Sequence, residues 1–536
     1  MTRIGIYGWG LVAPKSPDID TFAANLEEAG TWLEPFNGFG PDTFLVGRPE
    51  FSFERYHDWI DARFPPNRFP QLCEKMDPTV HYAIGAFIQA LGQNPGLEEA
   101  LQALGTEAHV YIGTGLGCLP TLHDQSVALH RAQRRWDRFW AQPERNTPLA
   151  EYLELSGEER RRRREELGAP PPPEEVDGED PEGAEEAWWH FWAARSQRLA
   201  DYLDELREVE SLKVEGTVQS AKMAVMKEKR RRYARLQQKW QAPEPPWRAV
   251  SPNVVWNIAN IPAAQVSMLG KITGMTFAPV AACSTFGVAL KLAMDAIRSG
   301  QARAVVVGAT DPSPHPLVVG AFYGARVISA DAAVSMPLSE LRGTHVAGGS
   351  VVWIVGDHEY MSSRGFRALG LEPLAVGVTS DADHIITPSV EGPSTAVRRA
   401  LAEARIEPDA LGTWDLHATA TPGDYTEVET LKGVVPGPVL VSARKGIHGH
   451  GMAASGGWEL TAQFLGYERG ALYPTPLPEE ELNPEIGRLH DRFVFDTACG
   501  VDSAPAGKLS MGIGGVNACV VSRPWETGED VEGGDG

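Results

Sequence analysis

Cys283 stands in Val280-Ala-Ala-Cys-Ser-Thr-Phe-Gly-Val-Ala-Leu290, where an apolar, strand-like run gives way to a helical pattern. A thiol at a helix start is aimed by the helix, and the positive end of the helix dipole favours its thiolate. The same position suits a cysteine that only packs, because free cysteine behaves as a small hydrophobe. What tips the reading toward chemistry lies downstream. In Asp415-Leu-His-Ala-Thr-Ala-Thr-Pro-Gly-Asp424, His417 ends a strand and is followed by small and hydroxylic residues that let a substrate approach the backbone. In Ser442-Ala-Arg-Lys-Gly-Ile-His-Gly-His-Gly-Met-Ala-Ala-Ser-Gly456, Lys445 stands five residues before His450, again between a strand and an apolar helix. Ser510-Met-Gly-Ile-Gly-Gly-Val-Asn517 is a glycine-rich turn into a strand, and its backbone amides can stabilise an oxyanion. Each histidine alone is more often a satisfied structural residue. It is the ordered set that is specific.

The elements that must position these residues alternate along the chain. Apolar, β-rich runs at 3–8, 108–113, 303–309 and 351–356 are separated by helical patterns such as Gly287 to Arg298, which predicts βαβ units. A second series has strand candidates at 372–378, 413–417, 438–442 and 515–521 and helix candidates at 394–404 and 425–432, so two similar halves are expected. The first half is placed in 1–121 and 251–360 and carries Cys283; the second, 361–525, carries both histidines; 526–536 reads as a disordered acidic tail.

Residues 122–250 differ in texture and read as an insertion of long polar helices, split by the acidic, proline-rich stretch Pro170 to Pro181. Trp192, Leu199, Leu203, Leu206 and Val209 recur at helical spacing, so one helix over 184–215 is expected to bury a stripe, in a helical hairpin or coiled-coil-like segment. Seven of the fifteen tryptophans (136, 140, 188, 189, 192, 240 and 247) fall here, more apolar payload than a linker needs. The Arg160–Arg164 run is flanked by glutamates and reads as a solvated face, whereas Lys227–Arg235 is less neutralised and could attract an acidic protein.

Composition narrows the class. With 536 residues, 43% hydrophobic and 22% charged, the chain can form two or more cores. A formal charge of −22 argues against nonspecific binding to nucleic acid or anionic membrane. The five cysteines, 73, 118, 283, 499 and 519, form no CxxC pair, so neither a disulfide framework nor a zinc or other metal site is indicated and a cytoplasmic location is expected. The opening Arg3-Ile-Gly-Ile-Tyr-Gly-Trp-Gly reads as a strand and glycine turn, without the apolar stretch of a signal peptide or membrane span.

Together these residues resemble the elongating β-ketoacyl-acyl-carrier-protein synthases of the thiolase superfamily. The family's nucleophile, HGTGT, Lys-x4-His and GFGGTN motifs match Cys283, His417 to Thr421, Lys445 to His450 and Gly512 to Asn517, in the right order. The opening Gly-Trp-Gly-Leu-Val-Ala-Pro, Lys75-Met-Asp and Gly113-Thr-Gly-Leu-Gly117 extend the likeness to nearly everything outside the insertion. The resemblance implies an α/β thiolase fold of two βαβ-type halves in five layers. It further implies a decarboxylative Claisen condensation, with Cys283 holding the acyl group and His417 and His450 assisting loss of CO2 from a malonyl-type extender. Lys445 would hold charge beside them, with Glu427 as its partner and Asp424 in the supporting network. The backbone amides of Cys283 and Ile513 would form the oxyanion hole, and Thr419 and Thr421 would meet the pantetheine. Acyl carrier protein is the implied partner, its phosphopantetheine the only carrier group, with no dissociable cofactor. A homodimer is expected, or a heterodimer with another ketosynthase.

Departures from the family pattern fall at the gates. Gly512, Ile513, Gly514 and Gly515 carry isoleucine where phenylalanine is usual, and the facing loop reads Arg342-Gly-Thr-His-Val-Ala-Gly-Gly-Ser-Val-Val352, with Thr344 and His345 in it. The glycines of HGTGT are Ala418 and Ala420. These changes motivate altered acyl or carrier specificity. The alternatives to condensation are a cysteine-dependent acyltransferase without decarboxylation and a scaffold or partner subunit for another ketosynthase.

Overall fold

β-Branched and aromatic runs favour a pleated, packed surface, and they supply most of the ten strands that make two mixed sheets. The first sheet contains β1 (Ile4–Val12), β2 (Ala108–Gly113), β3 (Thr276–Phe277), β4 (Ala304–Asp311) and β5 (Gly349–Asp357), in the order β1-β5-β4-β2-β3. The second contains β6 (Glu372–Ser380), β7 (Thr413–Asp415), β8 (Leu440–Ser442), β9 (Ala506–Gly512) and β10 (Val516–Arg523), in the order β6-β10-β9-β7-β8. In each sheet the first two pairings are antiparallel and the last two parallel. The second half therefore repeats the first strand for strand. This computed structural model describes residues 2–28, 30–40, 43–176, 180–213 and 218–525, side chains of 218–222 excepted, so the expected acidic tail 526–536 lies outside the described residues.

Helices layer around the sheets. On the outer face of the first sheet lie α1 (Pro78–Leu91), against β1 and β5, and α8 (Ile261–Gly270), against β2. Between the sheets run α9 (Thr285–Arg298), which touches β4, β2 and β6, and α13 (Ser455–Arg469), which touches β9, β5 and β7. On the second sheet's outer face α10 (Glu391–Ala404) covers β6 and β10, with α11 (Gly423–Val434) beside it. The result is the five-layer α/β/α/β/α stack that the family resemblance implies. Because α9 and α13 run between the sheets, α13 is buried nearly all round and α9 over most of its length, with Phe286, Leu290, Met294, Trp458 and Phe464 at 0% exposure. Their close approach requires Gly457, where an added Cβ would lie 2.4 Å from Val351 and 2.9 Å from Phe286.

The chain forms two compact units, and residues Thr121–Val254 make the second. Its helices are α2 (Leu119–Trp140, whose first residues belong to the first unit), α3 (Thr147–Glu154), α4 (Gly157–Leu167), α5 (Pro181–Ala193), α6 (Gln197–Glu210) and α7 (Val218–Trp240). Trp136, Trp140, Tyr152, Trp188, Trp192, Tyr202 and Tyr233 share one aromatic core. The single helix expected over 184–215 is two, α5 and α6. Ser196 breaks it by capping α6, accepting the Leu199 N–H at 3.3 Å while donating to the Arg145 carbonyl. A hairpin is present in α6 and α7, tied by Lys239 to Glu205 (2.5 Å) and Lys229 to Glu210 (3.0 Å), but packed with the other helices of its unit rather than alone. Helix α4, which holds the Arg160–Arg164 run, buries no residue.

Candidate active site

Cys283 and His450 occupy matching places in the two halves: each precedes a central helix, on the connection from β3 to β4 and from β8 to β9. Cys283 sits in a short 3-10 turn, Ala282–Ser284, entered through Ala282 at φ +47°. The Thr285 hydroxyl closes that turn, accepting from Ala281 N–H and donating to Ala282 O. The Ser284 hydroxyl reaches the carbonyls of Ser510 (3.0 Å) and Val516 (2.7 Å), which hangs the β9–β10 hairpin over the thiol. The hairpin turn is Gly512 to Gly515, with Gly514 at φ +91° and Gly515 at +74°. Gly512 passes so close that an added Cβ would meet Ala281 O at 2.7 Å and Cys283 N at 3.3 Å. The backbone N–H groups of Ile513 and Cys283 consequently face the sulfur.

His450 Nε2 lies 3.1 Å from Cys283 Sγ, and the His417 and His450 rings meet edge to face with centroids 5.4 Å apart. His450 is threaded into the 342–350 loop by its backbone, donating to His345 O and accepting from Ala347 N–H. Its Nδ1 is buried with no hydrogen-bond partner among the described residues. His417 leaves β7 on a loop whose amides are collected by two buried carboxylates. Glu427 accepts from His417 N–H (2.6 Å) and Ala418 N–H (2.8 Å), and Asp424 accepts from Thr419 N–H and Ala420 N–H. The alanines that replace glycine are accommodated: Ala418 packs in the second sheet's core, and Ala420 adopts φ +57°.

The expected pairing of Lys445 with Glu427 does not form. Lys445 begins the short helix α12 (Lys445–His448), and its Nζ meets Glu459 Oε1 at 2.5 Å, donates to His417 O, and stands 3.4 Å from His417 Nδ1. Glu427 is held by backbone amides instead, because its carboxylate sits at the start of the His417 loop, where two N–H groups need an acceptor. Sequence reading also missed Lys508, whose Nζ forms an ion pair with Glu459 Oε2 at 2.7 Å, and Asp311. Asp311 accepts from Thr114 Oγ1, Gly115 N–H, Leu116 N–H and Ala453 N–H, fixing the turn after His450 to the glycine loop after β2. A signal for both, and for Glu459, was present: each is a lone charge in or at the end of an apolar run, which globular cores admit only when it is paired.

Burial sets the ionisation. It pushes the Cys283 thiol up to about 11, against the Ile513 amide and Lys445, so the protonated thiol prevails at neutral pH. This differs from the thiolate favoured by the helix start alone. Burial, then Lys445, holds His450 down at about 3 and His417 well below the usual imidazole range, so both rings are neutral. Burial also lifts Glu427 to about 7 and Asp424 to about 6.

A cavity of about 410 Å3 opens onto this constellation, lined by Cys283, His417, His450, Thr419, Thr421 and Ile513 among others. Thr419 and Thr421 share a 3.0 Å contact between their hydroxyls. Of the expected gating residues, Gly512, Ile513, Gly515 and Thr344 line the cavity, and Ile513 is 43% exposed. His345 turns away: Ser335 N–H donates to its Nε2 and its Nδ1 meets Leu45 O, so it staples the loop. Among the described residues no group of three or more His, Cys, Asp or Glu could hold a metal ion, and no helix is long and apolar enough to cross a membrane.

Comparison with known proteins agrees with this geometry. The family model described as beta-ketoacyl synthase, N-terminal domain, matches residues 210–356, and the corresponding C-terminal domain matches 372–477. Nodulation protein E of Rhizobium sp. (strain N33) is 30% identical over 237 residues, 42% of this chain and 58% of that protein. The matched stretch spans only 54 to 64% of the length of such nodulation proteins. The 3-oxoacyl-[acyl-carrier-protein] synthase 2 of Staphylococcus aureus (strain COL) is 30% identical over 293 residues, 52% of this chain and 69% of that protein. A solved structure, the ishigamide ketosynthase/chain length factor, aligns over 98% of this chain and 100% of that chain with a TM-score of 0.66 at 18% identity, which is a likeness of fold. With two domain models matched in order and two thirds of a 3-oxoacyl synthase covered, the chain belongs to the β-ketoacyl synthase family, in the thiolase superfamily.

Proposed function

We propose that the protein carries out a decarboxylative Claisen condensation of an acyl thioester with a malonyl-type extender, both delivered on the phosphopantetheine of an acyl carrier protein. The observation that carries this reading is the 3.1 Å contact of His450 Nε2 with Cys283 Sγ, beside a second neutral imidazole, in one cavity. In the first half-reaction the sulfur attacks the acyl carbonyl and His450 Nε2 takes its proton. The pantetheine thiolate leaves with that proton, and Cys283 keeps the acyl group. In the second, the bond between the malonyl carboxylate and the α-carbon breaks, CO2 departs, and the electron pair becomes an enolate. Imidazole N–H groups of His417 and His450 would stabilise its oxygen. The α-carbon then attacks the Cys283 thioester, the oxyanion rests on the amides of Cys283 and Ile513, and the thiolate is expelled.

The two imidazoles differ in a way this sequence needs. Lys445 beside Nδ1 fixes His417 with its proton on Nε2, a permanent donor. Among the described residues His450 Nδ1 has no hydrogen-bond partner to fix it, so the ring can accept at Nε2 in the first half-reaction and donate there in the second. Thr419 and Thr421 are assigned to the pantetheine arm, and the chemistry asks for no dissociable cofactor. The similar S. aureus protein is named as a synthase acting on acyl carrier protein, and the similar solved structure as a ketosynthase with a chain length factor, which supports carrier and ketosynthase-type partners here.

Intact-mass analysis tests the reading. The protein is incubated with an acyl carrier thioester, then with malonyl carrier, alongside Cys283→Ala. An acyl adduct lost in the variant, followed by CO2 and a ketoacyl product, is expected. An adduct without CO2 release would mean acyl transfer only, and no adduct would leave a scaffold.

A further inference from the structure

We propose that Lys508 is a positioning residue for the decarboxylation step: by holding Glu459 from the side opposite Lys445, it keeps the Lys445 ammonium on His417. The proposal rests on the condensing reading above and deepens it.

Lys508, Glu459 and Lys445 form a buried row in which one carboxylate faces two ammonium groups. Lys445 Nζ meets Oε1 at 2.5 Å and Lys508 Nζ meets Oε2 at 2.7 Å, and all three side chains are at 0 to 1% exposure. An ammonium has three protons and no acceptor. Those of Lys445 have three targets: Glu459 Oε1, His417 O and His417 Nδ1. Nothing is left over. Ser455 Oγ also donates to Oε1 at 3.3 Å, so without Lys508 it is Oε2 that loses its cation and draws on the Lys445 ammonium, because a buried carboxylate cannot leave an oxygen uncompensated without cost. The contact with the most to lose is the longest, the 3.4 Å approach to His417 Nδ1 that fixes the donor tautomer. Lys508 also donates to Leu416 O (3.3 Å), the residue before His417, and to Leu509 O (2.6 Å), so the segment that leads from β7 to His417 is held from the same point.

The charges around Lys508 come from every neighbouring element. Glu459 lies on α13, Asp415 on β7, Glu427 on α11, Lys445 on α12, and Cys519 on β10. Asp415 Oδ2 is itself met by Arg444 at 2.6 Å, both side chains fully buried, while its Oδ1 has no hydrogen-bond partner among the described residues. Of the cations, Lys445 and Lys508 together oppose protonation of both catalytic imidazoles. Removing Lys508 takes away one opposing charge, so the imidazolium forms persist to higher pH.

The test measures two half-reactions separately in the full chain: acylation of Cys283 by intact mass, and CO2 release from a malonyl thioester over a pH series. Lys508→Met keeps the length and removes the charge. It is expected to slow CO2 release by about 10- to 100-fold, less than loss of an acid–base group itself, to slow acylation far less, and to move the acid limb of the CO2 profile to higher pH. Lys508→Arg is expected to restore part of the rate and the limb. If Lys508→Met does not fold, Lys508→Gln serves and the same split is expected. Equal slowing of both half-reactions with an unmoved limb overturns the proposal, leaving Lys508 a packing residue. Wild type that acylates without releasing CO2 overturns the condensing reading instead, and shows itself before any variant is made.

Discussion

His450 Nε2 faces Cys283 Sγ at 3.1 Å across the boundary between the two halves, each residue at the start of its own central helix. Burial holds the thiol at about 11 and the imidazole at about 3, so the pair rests as neutral thiol and neutral base. His450→Ala is therefore expected to slow Cys283 acylation by about 100- to 10,000-fold. Its residual rate should climb with pH toward the thiol's own value, because the sulfur must then ionise unaided. Acylation rates of wild type and variant over a pH series check this, and a residual rate flat with pH would refute it.

Stability against pH is set by two opposed groups of buried side chains. His345 and His448 at about 4 and His450 at about 3 are depressed from 6.5, so their contribution is full above the unfolded value and is lost as pH falls through the folded ones. Asp311 and Asp424 at about 6 and Glu427 at about 7 are raised, so their contribution is full below the unfolded carboxylate values and is lost as pH rises through 6 to 7. Between pH 7 and about 4 the two trends oppose each other; below about 4 those three carboxylates are protonated in both states, and what is still lost comes from His450, as pH falls through about 3, and from Glu459, which its two lysines hold down at about 2. Thermal melts should show a broad shoulder from neutral pH down to about 4 and a steep fall beneath it. A melting temperature that falls steadily from pH 7 would contradict the opposition.

Much of this was legible in the sequence because alternation of strand and helix, and glycine at tight turns, are local signals. The strands at 108–113 and 372–380 and the helix before Arg298 stand close to where their patterns place them. Cys283, His417, Lys445, His450 and the Gly512 turn fall in one cavity or beside it. Less legible was anything fixed by pairing across the fold. Strand β9 went unread, since Ala506-Gly-Lys-Leu-Ser-Met mixes a buried lysine into a short run and becomes a strand only between β7 and β10. The partner of Lys445 could not be chosen from spacing alone, because Glu427 and Glu459 are both near in sequence and only the tertiary fold turns Glu427 to the backbone. In the insertion, the stripe through Trp192 and Leu206 was visible, but Ser196 acts as a cap, and a capping serine reads locally like any helix-surface serine.

Ala420 holds φ +57° with a Cβ that glycine would lack, in a loop whose N–H groups Asp424 already collects. Ala420→Gly should stabilise the fold by about 0.5 to 1 kcal/mol, the left-handed strain relieved less the added freedom of the unfolded chain. Ala418→Gly should destabilise it, since that methyl is packed in the second sheet's core. Denaturant unfolding of both variants reads the two signs.

Gly512→Ala tests the oxyanion geometry. The new methyl would press on Ala281 O and Cys283 N, and the hairpin can relieve it only by lifting the Ile513 amide from the sulfur. Acylation should fall by about 100- to 1,000-fold, as for loss of one oxyanion donor, while the melting temperature shifts little because the turn can lift at its exposed residues Ile513 and Gly514. A large melting shift with near-normal acylation would place the role of Gly512 in folding.

The basic run on α7 is partly spent within its own unit. Arg231 and Arg232 pair with Glu228, and Lys229 pairs with Glu210, whereas Lys227, Arg230 and Arg235 make no ion pair among the described residues. Near them Met223 is 72% and Met226 43% exposed, so this helix offers free cations and apolar side chains together, the combination an acidic helical carrier would meet. Reversing Lys227, Arg230 and Arg235 to glutamate should weaken carrier binding and flatten its dependence on salt, with acylation by a small carrier-free thioester unchanged. The carrier-free arm separates docking from damage to the site. Carrier affinity that is unchanged by the reversal, at low and high salt alike, would remove α7 from the docking surface, because screened charges that bind must respond to both.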